Sequence, residues 1–160
     1  YDESTRVPFI LSGPGVKRGR TSDALVQTGI DIYSTLCDFA GITPPAGLPG
    51  LSARGIAAGK APAEWRESIW VSNRMLQGAA VDGVNPDIQG RMVRSERFKY
   101  CRYDYKREEA LFDMENDPGE TRNVAGDPDY TEVLDAHRRM YIQHVRETGD
   151  RVAGHWVGLI

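Results

Sequence analysis

The first apolar run of the chain, Val7-Pro8-Phe9-Ile10-Leu11, is opened by the polar pair Thr5-Arg6 and closed by Ser12-Gly13-Pro14-Gly15. A short apolar run between turn signals predicts a buried strand. Such a strand needs neighbours on both sides, so this one is expected to belong to a larger sheet. Ala24-Leu25-Val26 is a second, shorter strand-like run. The spacing then changes: Ile32, Leu36, Phe39 and Ala40 recur at helical intervals and predict a helix over about 28–40 that packs through these side chains. Thr28 through Asp31 has the shape of a capping box. Gly41 and the Pro44-Pro45 pair supply the stop.

Residues 41–63 hold much of the punctuation, with Pro44, Pro45, Gly47, Pro49, Gly50, Gly55, Gly59 and Pro62. They predict a traversing loop with a helical turn near 52–58, and the subdomain boundary. Ser68 to Ser72 reads as a strand, and residues 73–90 as an irregular, Gly-rich segment. Met92-Val93-Arg94 and Arg97 to Tyr103 predict a β-hairpin. Phe98 and Tyr100 would pack while Arg97 and Lys99 meet water. Ala110 to Asp113 is a further strand, and Asn116-Asp117-Pro118-Gly119 a turn. Asp127-Pro128 opens a helix over about 130–147. Its stripe is Val133/Leu134, His137, Met140/Tyr141 and His144/Val145, and Gly149 ends it.

Composition narrows the class. Hydrophobic residues are 40% and charged residues 27%, ordinary globular values, and the net charge of −3 favours neither nucleic acid nor an anionic membrane surface. No stretch approaches the ~20 apolar residues of a membrane span. The start, Tyr1-Asp2-Glu3-Ser4, has neither the basic nor the apolar region of a signal peptide. Cys37 and Cys101 form no metal framework, and Cys37 reads as a small buried hydrophobe.

Candidate chemistry is sparse. Asp113 to Gly119 looks like a calcium loop, but Pro118 and Val124 stand where that loop needs Gly and Glu, so the segment reads as a turn. His137 and His144 share a helix face without a third ligand and read as packing. The hairpin carries Arg91, Arg94, Arg97, Lys99, Arg102, Lys106 and Arg107 among Phe98, Tyr100, Tyr103 and Tyr105. That mixture suits anionic polymers. The acid-rich stretch 108–135 offers these cations internal partners, which is the favoured reading. The chain has no Gly-x-Ser-x-Gly elbow, phosphate loop or dinucleotide fingerprint.

Several segments in order resemble the sulfatase family. Tyr1 to Ile10 is similar to its Tyr-Glu-Gly-Gly-x-Arg-x-Pro segment, and Gly13-Pro14-Gly15 to the Trp-Pro-Gly that follows. Asp31 to Gly41 resembles its Asp-Leu-x-Pro-Thr-Leu-x-x-Leu-Ala-Gly helix. Arg91 to Arg94 with Lys99-Tyr100, then Leu111 to Glu120, resemble its C-terminal hairpin and Asp-Pro-x-Glu turn. The resemblance runs from residue 1 to about 147.

It implies an α/β fold: the end of an alkaline-phosphatase-like α/β sandwich over residues 1–62, and a small C-terminal subdomain over 63–160 with an antiparallel sheet and a long packing helix. It also implies sulfate-ester hydrolysis by a formylglycine nucleophile with calcium or another divalent cation. No Cys/Ser-x-Pro-x-Arg motif occurs here, so nucleophile and metal ligands are expected in a preceding part. Catalytic and metal-binding residues are expected to be absent from this chain, which alone should be inactive and fold poorly. Arg6 is expected to anchor the approach to the first strand. Asn73 and Arg74, expected just past a strand end, are the substrate-binding candidates; the guanidinium suits an anionic group. The expected partner is a sulfated small molecule or glycan, without nucleic acid or membrane, in a periplasmic or secreted setting. The alternatives are a phosphodiester or phosphonate monoester hydrolase of the same superfamily, or a non-enzymatic module that binds an anionic polymer.

Overall fold

A computed structural model gives the fold and describes residues 1–60, 64–75, 88–104 and 108–159. The chain divides into two compact units. One runs from Asp2 to Ile69; the other comprises Trp70 onward together with Tyr1.

The first unit contains the short helix α1 (Asp2–Thr5), the helix α2 (Thr28–Ala40) and the single turn α3 (Arg54–Ala57). Helix α2 ends as its sequence requires: Gly41 adopts the left-handed conformation at φ 68° and its N–H returns to the Asp38 carbonyl. Its start differs from a capping box. Gln27 is the N-cap, and Asp31 reaches back to accept from the Gln27 N–H at 2.7 Å. The buried face also differs. Asp31, Ser34, Thr35 and Cys37 are buried, whereas Ile32, Tyr33 and Leu36 are exposed, Leu36 at 62%.

The polar stripe is buried because it stitches the following loop to the helix. Ser34 donates to the Gly50 carbonyl, Thr35 accepts from the Ala53 N–H, and Asp38 accepts from the Ser52 hydroxyl at 2.6 Å. Asp31 is the hub. It accepts from Gln27 N–H, from Leu51 N–H at 2.9 Å, and from both terminal nitrogens of Arg66. Gly50 can only be glycine here, since a Cβ would lie 2.1 Å from the Ile30 carbonyl oxygen.

The expected strand at Val7–Leu11 is absent. The segment is irregular, with Val7 54% and Ile10 84% exposed, and Arg6 is exposed as well. No backbone group among the described residues forms a ladder with it, and without a ladder an apolar run has no strand to join. Ala24-Leu25-Val26 is likewise irregular. The Leu25 carbonyl accepts from Trp65 Nε1 and from Arg66.

The second unit is a four-stranded sheet in the order β1 (Ser68–Met75), β2 (Ile88–Ser95), β3 (Phe98–Tyr103), β4 (Glu109–Asp113). The hairpins β2–β3 and β3–β4 are antiparallel and in register, with Val93 opposite Tyr100 and Tyr100 opposite Leu111. A 3₁₀ turn at Pro128–Tyr130 is capped by Asp127, which accepts from the Asp129 N–H. It leads into α4 (Thr131–Thr148), closed by Gly149 at φ 65°, and α5 (Arg151–Trp156) follows.

The stripe of α4 packs on one face of the sheet. Leu134, Tyr141 and Val145 join Val93, Tyr100, Leu111 and Val124 in one cluster. Each such large apolar side chain contributes about 1.5–3 kcal/mol on burial. The histidines of the stripe pack as expected. His137 donates from Nδ1 to the Val133 carbonyl and meets Ser95 Oγ at 2.9 Å through Nε2; His144 stacks on Trp70 at 4.1 Å. Two expectations need correction. The segment 73–90 is not irregular throughout, because 73–75 belong to β1 and 88–90 to β2; residues 76–87 lie outside the described residues. Lys99 does not meet water: it is 1% exposed and forms a salt bridge with Glu120.

Candidate functional site

Alternation along β3 gives the sheet two different faces. Phe98 and Tyr100 point to α4, and Lys99, Cys101 and Tyr103 to the opposite face. On that second face Lys99 pairs with Glu120, delivered by the turn after β4. The turn closes through the Glu120 N–H to the Asp117 carbonyl, and it holds Glu120 at φ 53°, a conformation costly for a side chain with a Cβ. The second carboxylate oxygen of Glu120, Oε2, lies 3.8 Å from the Tyr1 nitrogen, which brings Tyr1 to the same face.

Cys101 and Tyr103 are neighbours on this face. Burial pushes the Cys101 thiol up to about 11, with Lys99 opposing, and burial together with Cys101 pushes the Tyr103 phenol up to about 12. Both stay protonated at neutral pH, so neither is a ready nucleophile. Cys37 is a free, buried thiol.

The candidates Asn73 and Arg74 are exposed, and both lie within β1 rather than past its end. Asn73 sits beside Gly90 of β2, which pairs with Tyr103 of β3. Beneath them Arg91 is held on all sides. It donates to Asp150 at 2.7 Å and to the Gly90 carbonyl at 3.0 Å, and it lies over the Trp156 ring. Sequence reasoning singled out Tyr103 only as one of the hairpin aromatics and missed Gly90 and the pairing of the two. The hairpin register, which sets them opposite one another, was the available signal. Asn73 and Arg74 do not converge with Lys99, Glu120 or the histidines into a catalytic cluster, and the described residues contain no group of three His, Cys, Asp or Glu able to hold a metal ion.

The cations of the hairpin are largely spent on the chain itself. Arg97 pairs with Asp113, Arg91 with Asp150 and Lys99 with Glu120, while Arg94 donates to the Ser95 and Glu96 carbonyls. The Arg97 pair holds the Asp113 carboxyl well below the usual range. No helix is long and apolar enough to cross a membrane, among the described residues.

A family model described as N-sulphoglucosamine sulphohydrolase, C-terminal, matches residues 1–147. The chain belongs to this sulfatase C-terminal family. A curated relative of this sulfatase part, the Delta 4,5-hexuronate-2-O-sulfatase of Bacteroides thetaiotaomicron, is 37% identical over 152 residues, which are 94% of this chain and 30% of the relative. The solved structure of a 2-O GAG sulfatase superposes with a TM-score of 0.76 at 33% identity, over 87% of this chain and 29% of that one. A phosphonate monoester hydrolase from Silicibacter pomeroyi superposes with a TM-score of 0.71 at 27% identity, over 85% and 28%. The sulfatase part thus spans less than a third of the length of these proteins.

Formylglycine and a divalent cation are consistent with this family. The described residues do not fit either group. Both cysteines are buried and neither lies in a Cys-x-Pro-x-Arg motif. The carboxylates Asp31, Asp113 and Glu120 are each engaged by a cation.

Proposed function

We propose that this chain is the C-terminal part of a sulfatase that hydrolyses sulfate esters of a sulfated small molecule or glycan. The observation that carries this reading is the family match over residues 1–147. The relatedness to a hexuronate 2-O-sulfatase favours a sugar substrate. The nucleophile and cation are supplied by other parts of the protein. In this reading residues 1–62 end the large α/β domain and 63–160 form the small subdomain. The exposed apolar side of α2, with Ile32, Tyr33 and Leu36, supports it, because such a stripe is what a large-domain helix turns toward its sheet. Asn73 and Arg74 border the substrate cleft, and the setting is periplasmic or secreted, which cell fractionation tests.

The phosphonate monoester hydrolase is the second reading, favoured by the structural likeness to one. The full-length protein, assayed for sulfate release from a 2-O-sulfated unsaturated uronate disaccharide and from an aryl sulfate, is expected to release sulfate from both. Faster cleavage of a phosphonate monoester than of either sulfate selects the second reading. The 160-residue chain alone is expected to release none. Tight binding of sulfated glycan by that chain, unchanged when Arg94 and Lys99 become alanine, would count against any role for the hairpin cations.

A further inference from the structure

Three adjacent strands each contribute one feature to the second face of the sheet. Asn73 stands on β1, Gly90 on β2 and Tyr103 on β3. A Cβ on Gly90 would lie 2.6 Å from Asn73 Oδ1 and 3.1 Å from Tyr103 Cδ1 and Cε1. The missing side chain therefore lets the carboxamide and the phenol ring lean together over the strand between them. Gly90 is buried, Tyr103 is 39% exposed and Asn73 is exposed, so this arrangement is presented to solvent. The Asn73 carboxamide has no hydrogen-bond partner among the described residues, although its own backbone carbonyl is within reach of Arg91.

A flat aromatic surface beside an amide is the pairing that recognises a sugar ring. The C–H edges of a pyranose lie on the aromatic face, and a carboxamide donates to one hydroxyl and accepts from another. Phosphate or sulfate alone would call for cations instead. An aromatic ring over a strand glycine can also serve only to cover the backbone. That duty accounts for Tyr103 but not for the exposed carboxamide beside it.

We infer that Asn73 and Tyr103, brought together over Gly90, form a subsite for a sugar ring of the substrate and help to set the preference for sugar sulfates. This rests on the sulfatase reading. It adds Tyr103 and Gly90 to that reading and gives Asn73 a defined role.

The test uses the full-length enzyme with a 2-O-sulfated unsaturated uronate disaccharide and, as a substrate without sugar hydroxyls, 4-nitrophenyl sulfate. Asn73→Ala and Tyr103→Ala are each expected to lower kcat/KM on the disaccharide about tenfold, mainly through KM, roughly the size of one lost hydrogen bond or ring contact. Asn73→Ala is expected to lose clearly less on the aryl sulfate than on the disaccharide, and Tyr103→Phe to lose clearly less on the disaccharide than Tyr103→Ala, since the ring and not its hydroxyl is used. Gly90→Ala, which drives the carboxamide aside, is expected to behave like Asn73→Ala. Equal losses on both substrates for Asn73→Ala, or no loss on the disaccharide for either alanine variant, overturns the inference while the sulfatase reading stands. A wild type that cleaves neither sulfate overturns the sulfatase reading and this inference with it.

Discussion

At the scale of single residues, the second face of the small sheet depends on one buried charge pair. Lys99 and Glu120 are 1% and 4% exposed, and removing one partner takes from the other a close counter-charge in a buried setting. Glu120→Gln is expected to cost about 3–5 kcal/mol in urea unfolding, and Lys99→Met added to it should cost clearly less than the sum of the two single changes. The pair was not legible in the hairpin. Alternation set Lys99 apart from Phe98 and Tyr100 correctly, but what covers that side arrives from 21 residues further along the chain. The histidines give a pH signature. Burial holds both His137 and His144 below the usual histidine range, and Arg94 adds to this at His137. Such groups bind fewer protons folded than unfolded, so their contribution is complete above the unfolded value of 6.5 and is lost as pH falls through the lowered folded values. Asp113, depressed by Arg97, adds a second loss below its unfolded value of 3.8. Urea midpoints are expected to fall in these two stages on acidification, and His137→Leu should flatten the first.

Among the elements, helices were most readable where their ends carried their own chemistry. Gly41 and Gly149 both close a helix in the left-handed conformation, and Asp127-Pro128 opens the approach to α4. The β2–β3–β4 meander followed from short strands between turn residues. Helix α2 shows the limit of reading by period. Its position was legible, yet the side it buries in this chain is the polar one, because Ser34, Thr35 and Asp38 spend their hydrogen bonds on residues 50–54. Asn73 and Arg74 were set past a strand that in fact continues to Met75, since edge strands rich in polar residues carry no clear end signal. Gly149→Ala is expected to cost about 1 kcal/mol, the usual strain of a Cβ in the left-handed region. Gly50→Ala should cost more, since the new Cβ meets a helix carbonyl that cannot move freely. Chemical denaturation of both variants checks the order.

On the scale of the molecule, the two units differ in how much of their own structure they can support. The unit from Trp70 onward has a sheet, a packed helix and a continuous apolar cluster. The unit from Asp2 to Ile69 buries polar residues of α2 and exposes Ile10, Tyr33, Leu36 and Ile42. The run Val7–Leu11 reads as a strand by composition, but a strand is a pairing between segments, and composition names only one side of the pair. Hydrogen exchange of the 160-residue chain is expected to show early labelling across 7–26 and late labelling in β3 and α4. Uniform slow exchange from end to end would contradict this.

Asp31 and Arg66 close a circuit of 35 residues without a covalent bond. A disulfide across the same span would restrict the unfolded chain in a similar way, but it would open in a reducing compartment. The carboxylate–guanidinium clasp is indifferent to redox potential, and with Asp31 fully enclosed, added salt has little access to it. The Pro- and Gly-rich stretch between the two residues is therefore fastened equally well in an oxidising or a reducing environment, and neither thiol of the chain is needed to fasten it.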